Sequence, residues 1–244
     1  MNRNLSLACL LPFVIVVAGC THKAVSTPQI HPTAFGTALV ESSGGKQTGA
    51  TGTMLAQPVV VQVNDDKGAA LAGALVEFHG PAGVTFDPTA MLTDSSGQAT
   101  TNVTLGGLPA RYHLTATTKS NAQREIALNL DEIALGYQQE LGYQVSEKYC
   151  ARCHNPESSA ERVSNYDNLE VKPHTLSDGS VLNKMSDVEL TSIINHGGVA
   201  LNKSALMPPY GYTLDKAETQ ALVAYIRLVS DPPYQAAGMV YAQK

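Results

Sequence analysis

The residues best suited to chemistry lie past the middle of the chain, in the stretch YCARCH from Tyr149 to His154. Two thiols, those of Cys150 and Cys153, are separated by two residues, and an imidazole follows the second thiol directly. Such a grouping could form a disulfide, bind zinc, exchange electrons as a dithiol, or attach a haem. These four interpretations make different demands on the rest of the chain.

The N-terminus carries an apolar run over residues 5–17, which follows a short polar start. This run predicts an export signal, because a membrane-spanning helix needs about 20 continuous apolar residues. It closes on VAGC, ending at Cys20, which resembles the lipobox of bacterial lipoproteins, in which the cysteine is acylated. We expect residues 1–19 to be a signal peptide and residues 20–36 to be a flexible tether to a lipid bilayer. The residue after Cys20 is Thr21, and no acidic residue there resembles an inner-membrane retention signal. This favours the outer membrane if the host has two membranes.

The chain has four cysteines, and their positions narrow the interpretations of the motif. Cys9 lies in the signal and Cys20 is the expected acylation site, so Cys150 and Cys153 have only each other as partners. A thioredoxin-like disulfide expects a strand before the motif and leaves His154 without a role. A structural zinc site needs further ligands at a recognisable spacing, and the sequence offers none. The adjacent histidine therefore favours haem.

Length and composition bound the architecture. The 244 residues, of which 43% are hydrophobic and 15% are charged, suit folded material with room for two domains. The formal net charge is -5, so the chain has no broad basic field, and we expect no nucleic-acid partner.

A helical pattern surrounds the motif and defines a second domain, which we place at residues 132–232. Apolar residues recurring at two to four positions predict a helix from about Ile133 that leads into the motif. Capping-box patterns at Ser186 and Asp215 predict the starts of two more helices, and Gly197 predicts the end of the first of them. The sequence therefore predicts an all-α domain around the thiols and the imidazole.

Residues 37–131 have the opposite pattern and predict an all-β sandwich of about seven short strands. Val59, Val61 and Val63 recur at every second position, and turn residues follow them. The segments VVVQVNDDKGAALAGALVEF (residues 59–78) and LTDSSGQATTNVTLGGLPARYHLTAT (residues 92–117) resemble a bacterial Ig-like domain of the invasin and intimin type. The resemblance implies an architecture, with a role as a spacer or docking module, and little chemistry.

Residues 137–230 resemble a class I cytochrome c domain. The resemblance is carried by CARCH, by LMPPYGY at residues 206–212 as the distal-ligand loop, and by AETQALVAYIRLVS at residues 217–230 as the C-terminal helix. Residues 233–244 follow as a C-terminal tail.

The resemblance implies one covalently attached haem c. Cys150 and Cys153 would form the thioethers and His154 would be the proximal iron ligand. Met207, in the proline-stiffened loop, would supply the distal sulfur. His174, in a polar loop, is the alternative distal ligand, because haems with two histidine ligands exist.

An iron with histidine and methionine ligands has no open position, so we expect electron transfer and no intrinsic catalysis. The expected protein is a lipid-anchored c-type cytochrome on the periplasmic side of a bacterial membrane, passing single electrons to a redox protein partner. Two alternatives remain open. The chain could be the cytochrome subunit of a separate dehydrogenase or oxidase, or a surface interaction protein in which the Ig-like domain binds a partner.

Overall fold

The computed structural model describes residues 30–159 and 162–236. The predicted signal peptide, Cys20 and most of the C-terminal tail lie outside these residues, so the structure does not bear on lipidation. Within the described ranges, no helix is both long enough and apolar enough to cross a membrane. The predicted order of an all-β domain followed by an all-α domain is confirmed.

The β domain is a sandwich of two sheets. A four-stranded sheet has the order β1-β3-β7-β5 and a five-stranded sheet has the order β2-β9-β8-β4-β6. All pairs within these sheets are antiparallel except β2 with β9. The strands are β1 (Ala38–Ser43), β2 (Thr48–Ala50), β3 (Val59–Asn64), β4 (Leu75–His79), β5 (Thr85–Asp87), β6 (Ala90–Leu92), β7 (Gln98–Thr104), β8 (Ala110–Lys119) and β9 (Glu125–Leu135).

Alternation along the strands builds the core between the sheets. Val59, Val61 and Val63 of β3 have no exposed surface, as the period of two predicted. Val103 of the neighbouring strand β7 and Leu114 of β8, in the other sheet, belong to the same apolar cluster. The burial of these side chains holds the two sheets together.

The helical domain follows β9 directly. Its helices are α1 (Tyr137–Val145), α2 (Ala151–His154), α3 (Gly179–Leu182), α4 (Asp187–His196) and α5 (Lys216–Val229). A π-helical turn, Ser146–Cys150, joins α1 to α2, and short 3-10 turns cover Tyr166–Asn168 and Gly198–Leu201.

The first helix begins later than the sequence predicted. The helical pattern placed its start at about Ile133, with the domain boundary at 131, whereas β9 continues to Leu135 and α1 begins at Tyr137. Ala134 pairs with Ala110 of β8, and Leu135 pairs with Ala50 of β2. Residues whose pattern suited a helix are thus paired in the sheet, because pairing with strands distant in the sequence overrides the local pattern.

The two predicted capping boxes are confirmed. The side chain of Ser186 accepts a hydrogen bond from the backbone N–H of Glu189, and Asp215 does the same for Glu218. Gly197 ends α4 with a φ of 80°, a conformation that favours glycine.

Helices α1 and α5 cross at Gly142. A Cβ atom at this position would lie 2.0 Å from the carbonyl oxygen of Ala221, so only glycine allows this approach. Beside the crossing, the rings of Tyr143 and Tyr225 pack with centroids 5.7 Å apart. Leu222, which is buried, anchors the cluster that the crossing covers. This crossing fixes the direction in which α1 delivers the cysteine motif.

Candidate functional site

The cysteine motif lies at the end of a continuous helical segment. The π-helical turn ends at Cys150, and α2 carries Cys153 and His154. Both thiols are free. Residues three apart on a helical turn share a face, so the two thiols point the same way. A π-helical turn adds a residue to the helix and is frequent at functional sites.

The Cys150 thiol packs against the apolar cluster of the helical domain. Burial, with a smaller contribution from the neighbouring Cys153, raises the pKa of this thiol to about 12. A thiol with a raised pKa stays protonated at neutral pH and is a weak nucleophile in disulfide exchange. The environment therefore differs from the electropositive sites that activate redox dithiols.

The His154 imidazole is oriented by a backbone group. Its Nδ1 lies 2.7 Å from the carbonyl oxygen of His174. Because a carbonyl oxygen can only accept, Nδ1 carries the hydrogen and Nε2 keeps its lone pair. Burial lowers the pKa of His154, outweighing the His174 hydrogen bond, which raises it. A neutral ring with a fixed tautomer is what an imidazole ligand to a metal requires.

The side chain of His174 is engaged elsewhere. Its Nδ1 lies 2.9 Å from a carboxylate oxygen of Asp178. The same carboxylate residue accepts from the Ser180 hydroxyl, and these contacts lower the pKa of Asp178. Thus the main-chain carbonyl of His174 hydrogen-bonds the imidazole of His154, while the side chain of His174 hydrogen-bonds Asp178 in the turn before α3.

The loop that carries Met207 is fixed on the end of α4. The carbonyl oxygen of Met207 accepts from the N–H of Gly198 at 3.1 Å. A Cβ atom at Gly197 would lie 2.8 Å from that oxygen, so glycine is needed for the close approach as well as for its φ. The Met207 side chain is half-buried and lies outside the apolar cluster that contains Cys150.

Tyr210 connects this loop to the cysteine motif. Its hydroxyl donates to the carbonyl oxygen of Tyr149 at 2.9 Å, and its ring packs on that of Tyr149 with centroids 5.9 Å apart. Burial raises the pKa of Tyr210, and the nearby Cys150 and Cys153 thiols add to this. The structure therefore brings the LMPPYGY loop beside the YCARCH stretch, although 61 positions separate Tyr149 and Tyr210.

Large apolar side chains are exposed in the two segments that carry the candidate ligands. The exposed fractions are 78% and 59% for Val163 and Val171, after the motif, and 65% and 60% for Val199 and Leu206, before Met207. Together with two thiols on one face, a neutral imidazole and a thioether, these apolar surfaces fit the demands of a porphyrin with an iron at its centre.

Two surface cavities lie between α4 and α5, and Gly211 and Tyr212 of the LMPPYGY loop line one of them. Their volumes are about 480 and 530 Å³, and Thr191 and Gln220 line both. Neither cavity is lined by any of the four candidate haem-binding residues, Cys150, Cys153, His154 and Met207.

Sequence reasoning missed the two backbone groups that organise the site. The carbonyl oxygens of Tyr149 and His174 have no residue-type signal, so no motif could have identified them. The donor Tyr210 was visible in the sequence, but its partner depends on the fold.

Comparison with known families agrees with the helical part of this description. Residues 138–226 match the family described as cytochrome C oxidase, cbb3-type, subunit III. A comparison with curated proteins found no match.

Solved structures similar to this chain include domains of intimin and invasin. The D0-D1 domain of intimin is 24% identical over 42% of this chain and 49% of that one, with a TM-score of 0.33. The D00-D0 domain of intimin is 22% identical over 44% and 50%, with a TM-score of 0.34. Invasin, described as a bacterial integrin-binding protein, is 20% identical over 40% and 18%, with a TM-score of 0.28. The chain thus spans about half the length of the intimin fragments and less of invasin. The strand-rich part of the chain resembles Ig-like domains, and the helical part matches a cytochrome c domain.

Proposed function

We propose, from the premise that the helical domain is a cytochrome c domain, that this protein is a monohaem electron carrier with a covalently attached haem c. The haem iron, when bound, supplies a reversible one-electron couple. In this proposal Cys150 and Cys153 hold the porphyrin, and His154 and Met207 hold the iron. A filled coordination shell leaves no position for a substrate, so the protein carries electrons and catalyses nothing by itself.

The observation that carries the proposal is the hydrogen bond from His154 Nδ1 to the His174 carbonyl oxygen, at 2.7 Å. It supports His154 as an iron ligand because it presents Nε2, unprotonated, on the opposite side of the ring. It also holds the ring in one orientation and increases the basicity of the ligand.

The same contact supports Met207 over His174 as the distal ligand. Because the His174 main chain lies at the Nδ1 edge of His154, it would be on the side of that ring away from an iron bound at Nε2. A distal ligand must approach the iron from the other face of the porphyrin. The Asp178 carboxylate further engages the His174 side chain at 2.9 Å.

We further propose that acylated Cys20 anchors the protein to a bilayer on the periplasmic side of a bacterial membrane, where a redox protein partner exchanges electrons with it. The lipobox-like VAGC supports this proposal. A second candidate is the cytochrome subunit of a larger oxidoreductase, and the description of the matched family as an oxidase subunit favours it. Copurification with a catalytic subunit at fixed stoichiometry distinguishes the subunit from the carrier.

The ligand assignment is tested by absorption spectra of protein matured in a host that assembles c-type cytochromes. The oxidised form should have the weak near-infrared band of a methionine–iron bond, and Met207→Ala should abolish it. His174→Ala is the matched control and should keep the band, because the carbonyl that orients His154 belongs to the main chain. A band that survives Met207→Ala would refute the assignment, and a wild type that lacks the band and changes its spectrum in His174→Ala would identify His174 as the distal ligand instead. Cys150→Ala together with Cys153→Ala should make the haem extractable by acidic acetone.

A further inference from the structure

The loop that carries Met207 has two separate attachments to the rest of the helical domain. The first is to α4, where the N–H of Tyr210 donates to the Ile194 carbonyl oxygen at 2.9 Å and Gly198 donates to Met207 at 3.1 Å. The second is to the cysteine motif, through the Tyr210 hydroxyl and the Tyr149 carbonyl oxygen at 2.9 Å.

These attachments have different consequences. The α4 contacts fix the loop relative to a helix that carries none of the proposed ligands. The Tyr210 hydroxyl fixes it relative to Tyr149, the residue directly before Cys150. It therefore links the two segments that would face each other across the porphyrin.

We propose, resting on the electron-transfer function above, that Tyr210 is a positioning residue that holds Met207 at bonding distance from the iron. Its hydroxyl touches neither the porphyrin nor the sulfur in this scheme. It restrains the loop against the motif, so that the state in which the methionine is detached is less populated. A single neutral hydrogen bond of this kind corresponds to a change of roughly threefold to tenfold in such a population.

Imidazole added to the oxidised protein measures this population, because it binds the iron only when the methionine has left. Tyr210→Phe removes the hydroxyl and keeps the ring that packs on Tyr149. We expect the apparent dissociation constant for imidazole to fall about threefold to tenfold in this variant. The matched control is Tyr212→Phe, since Tyr212 is fully exposed, and it should leave the constant unchanged.

Each outcome of this experiment is decisive. Equal constants for wild type, Tyr210→Phe and Tyr212→Phe would overturn the positioning role. A wild type that lacks the near-infrared band would overturn the proposed function instead. Circular dichroism and one covalent haem per chain establish that each variant is folded. If Tyr210→Phe does not mature, Tyr210→Leu, which also lacks the hydroxyl, should show the same fall, and a constant equal to that of wild type would also overturn the role.

A second and independent inference concerns the junction between the two domains. One residue, Gly136, separates β9 from α1. A Cβ atom there would lie 2.7 Å from the ring of Pro109, in the loop before β8. A connection this short and this closely packed leaves little freedom between the domains.

Arg111 of β8 crosses the junction. One guanidinium nitrogen lies 2.8 Å from a carboxylate oxygen of Asp131 on β9 and 3.5 Å from one of Asp231, past the end of α5. The other terminal nitrogen donates to the Val229 carbonyl oxygen at 3.0 Å. The Arg111 side chain is only 18% exposed, whereas the side chains of Asp131 and Asp231 are 35% and 55% exposed. A cation at the carboxyl end of a helix also interacts favourably with the helix dipole.

The geometry points to Arg111 as the clamp that joins the sandwich and the helical domain into one rigid unit. The sandwich is then a fixed platform for the cytochrome domain, with its β8–β9 end set against the end of α5. A flexible spacer would have neither the one-residue connection nor a shared guanidinium.

Hydrogen exchange of the full chain tests the clamp. Arg111→Met should increase exchange at least tenfold at the end of α5 and raise the radius of gyration in small-angle scattering. Arg124→Met is the matched control, because Arg124 is exposed near the start of β9, and it should change neither. Arg111→Lys keeps the charge, so its exchange and radius of gyration should lie between those of Arg111→Met and the control. This variant replaces Arg111→Met in the test if Arg111→Met does not fold. Identical exchange and scattering for the Arg111 variants and the control would overturn the inference.

Discussion

Glu132 of β9 is a carboxyl group with no exposed surface in the interior of the β domain. One oxygen accepts from the N–H of Gln47 at 2.7 Å, while Oε1 has no hydrogen-bond partner among the described residues. Burial raises the pKa of Glu132 to about 8. The backbone N–H groups of Gln47 and Lys46 lower the pKa, and the like charges of Glu41 and Asp131 raise it.

The raised pKa sets the sign of a pH effect on stability. The unfolded chain releases the proton above the ordinary value of 4.5, whereas the folded chain keeps it until about 8. The folded state therefore binds more protons in this window, and the free energy of unfolding falls as pH rises. The two pKa values differ by about 3.5, and a difference of one in pKa corresponds to about 1.4 kcal/mol. The upper bound on the change in the free energy of unfolding is therefore roughly 5 kcal/mol.

Glu132→Gln removes the ionisation and keeps an oxygen that accepts from Gln47. We expect this variant and the wild type to have similar stability at pH 5, and the variant to be more stable by up to roughly 5 kcal/mol at pH 8. The assay is hydrogen exchange of β3 and β9 amides across a urea series at both pH values. Glu125→Gln, at the exposed start of β9, is the control and should follow the wild type. Parallel pH profiles for wild type and Glu132→Gln would refute the reasoning.

Two further predictions concern the helical domain. Gly142→Ala places a Cβ atom 2.0 Å from the Ala221 carbonyl oxygen, so we expect a loss of about 3 kcal/mol or more in a thermal melt of the domain. A melting temperature equal to that of wild type would show that α1 and α5 can separate without cost. Ser186→Ala removes the cap that accepts from the Glu189 N–H at 3.2 Å and should cost about 1 kcal/mol in urea denaturation. Ser186→Asp, which keeps an acceptor, should restore the stability, and equal losses in both variants would contradict the capping role.

Much of the fold could be predicted from local patterns. The alternation of Val59, Val61 and Val63 predicted β3, and the capping boxes predicted the starts of α4 and α5, because each signal is complete within a few residues. Strands β2 and β6 could not be found in this way. Each has three residues and no buried position, so its assignment depends on pairing with another strand, β9 for β2 and β4 for β6.

The candidate site divides along a similar line. The residue types and the spacing of Cys150, Cys153 and His154 are local, so the sequence alone was enough to predict them as the haem-binding residues. The contacts that hold the site together are long-range hydrogen bonds to main-chain carbonyl oxygens, those of His174 and Tyr149. Substituting the side chain of either acceptor residue leaves its carbonyl in place. Side-chain mutations at Tyr149 and His174 therefore test the packing of these side chains and the contact between His174 and Asp178. The two hydrogen bonds to the carbonyl oxygens can be removed only by mutating their donors, His154 and Tyr210. For this reason Tyr210→Phe is the informative change at the distal loop, and substitutions that spare the main chain at position 174 should leave the orientation of His154 intact.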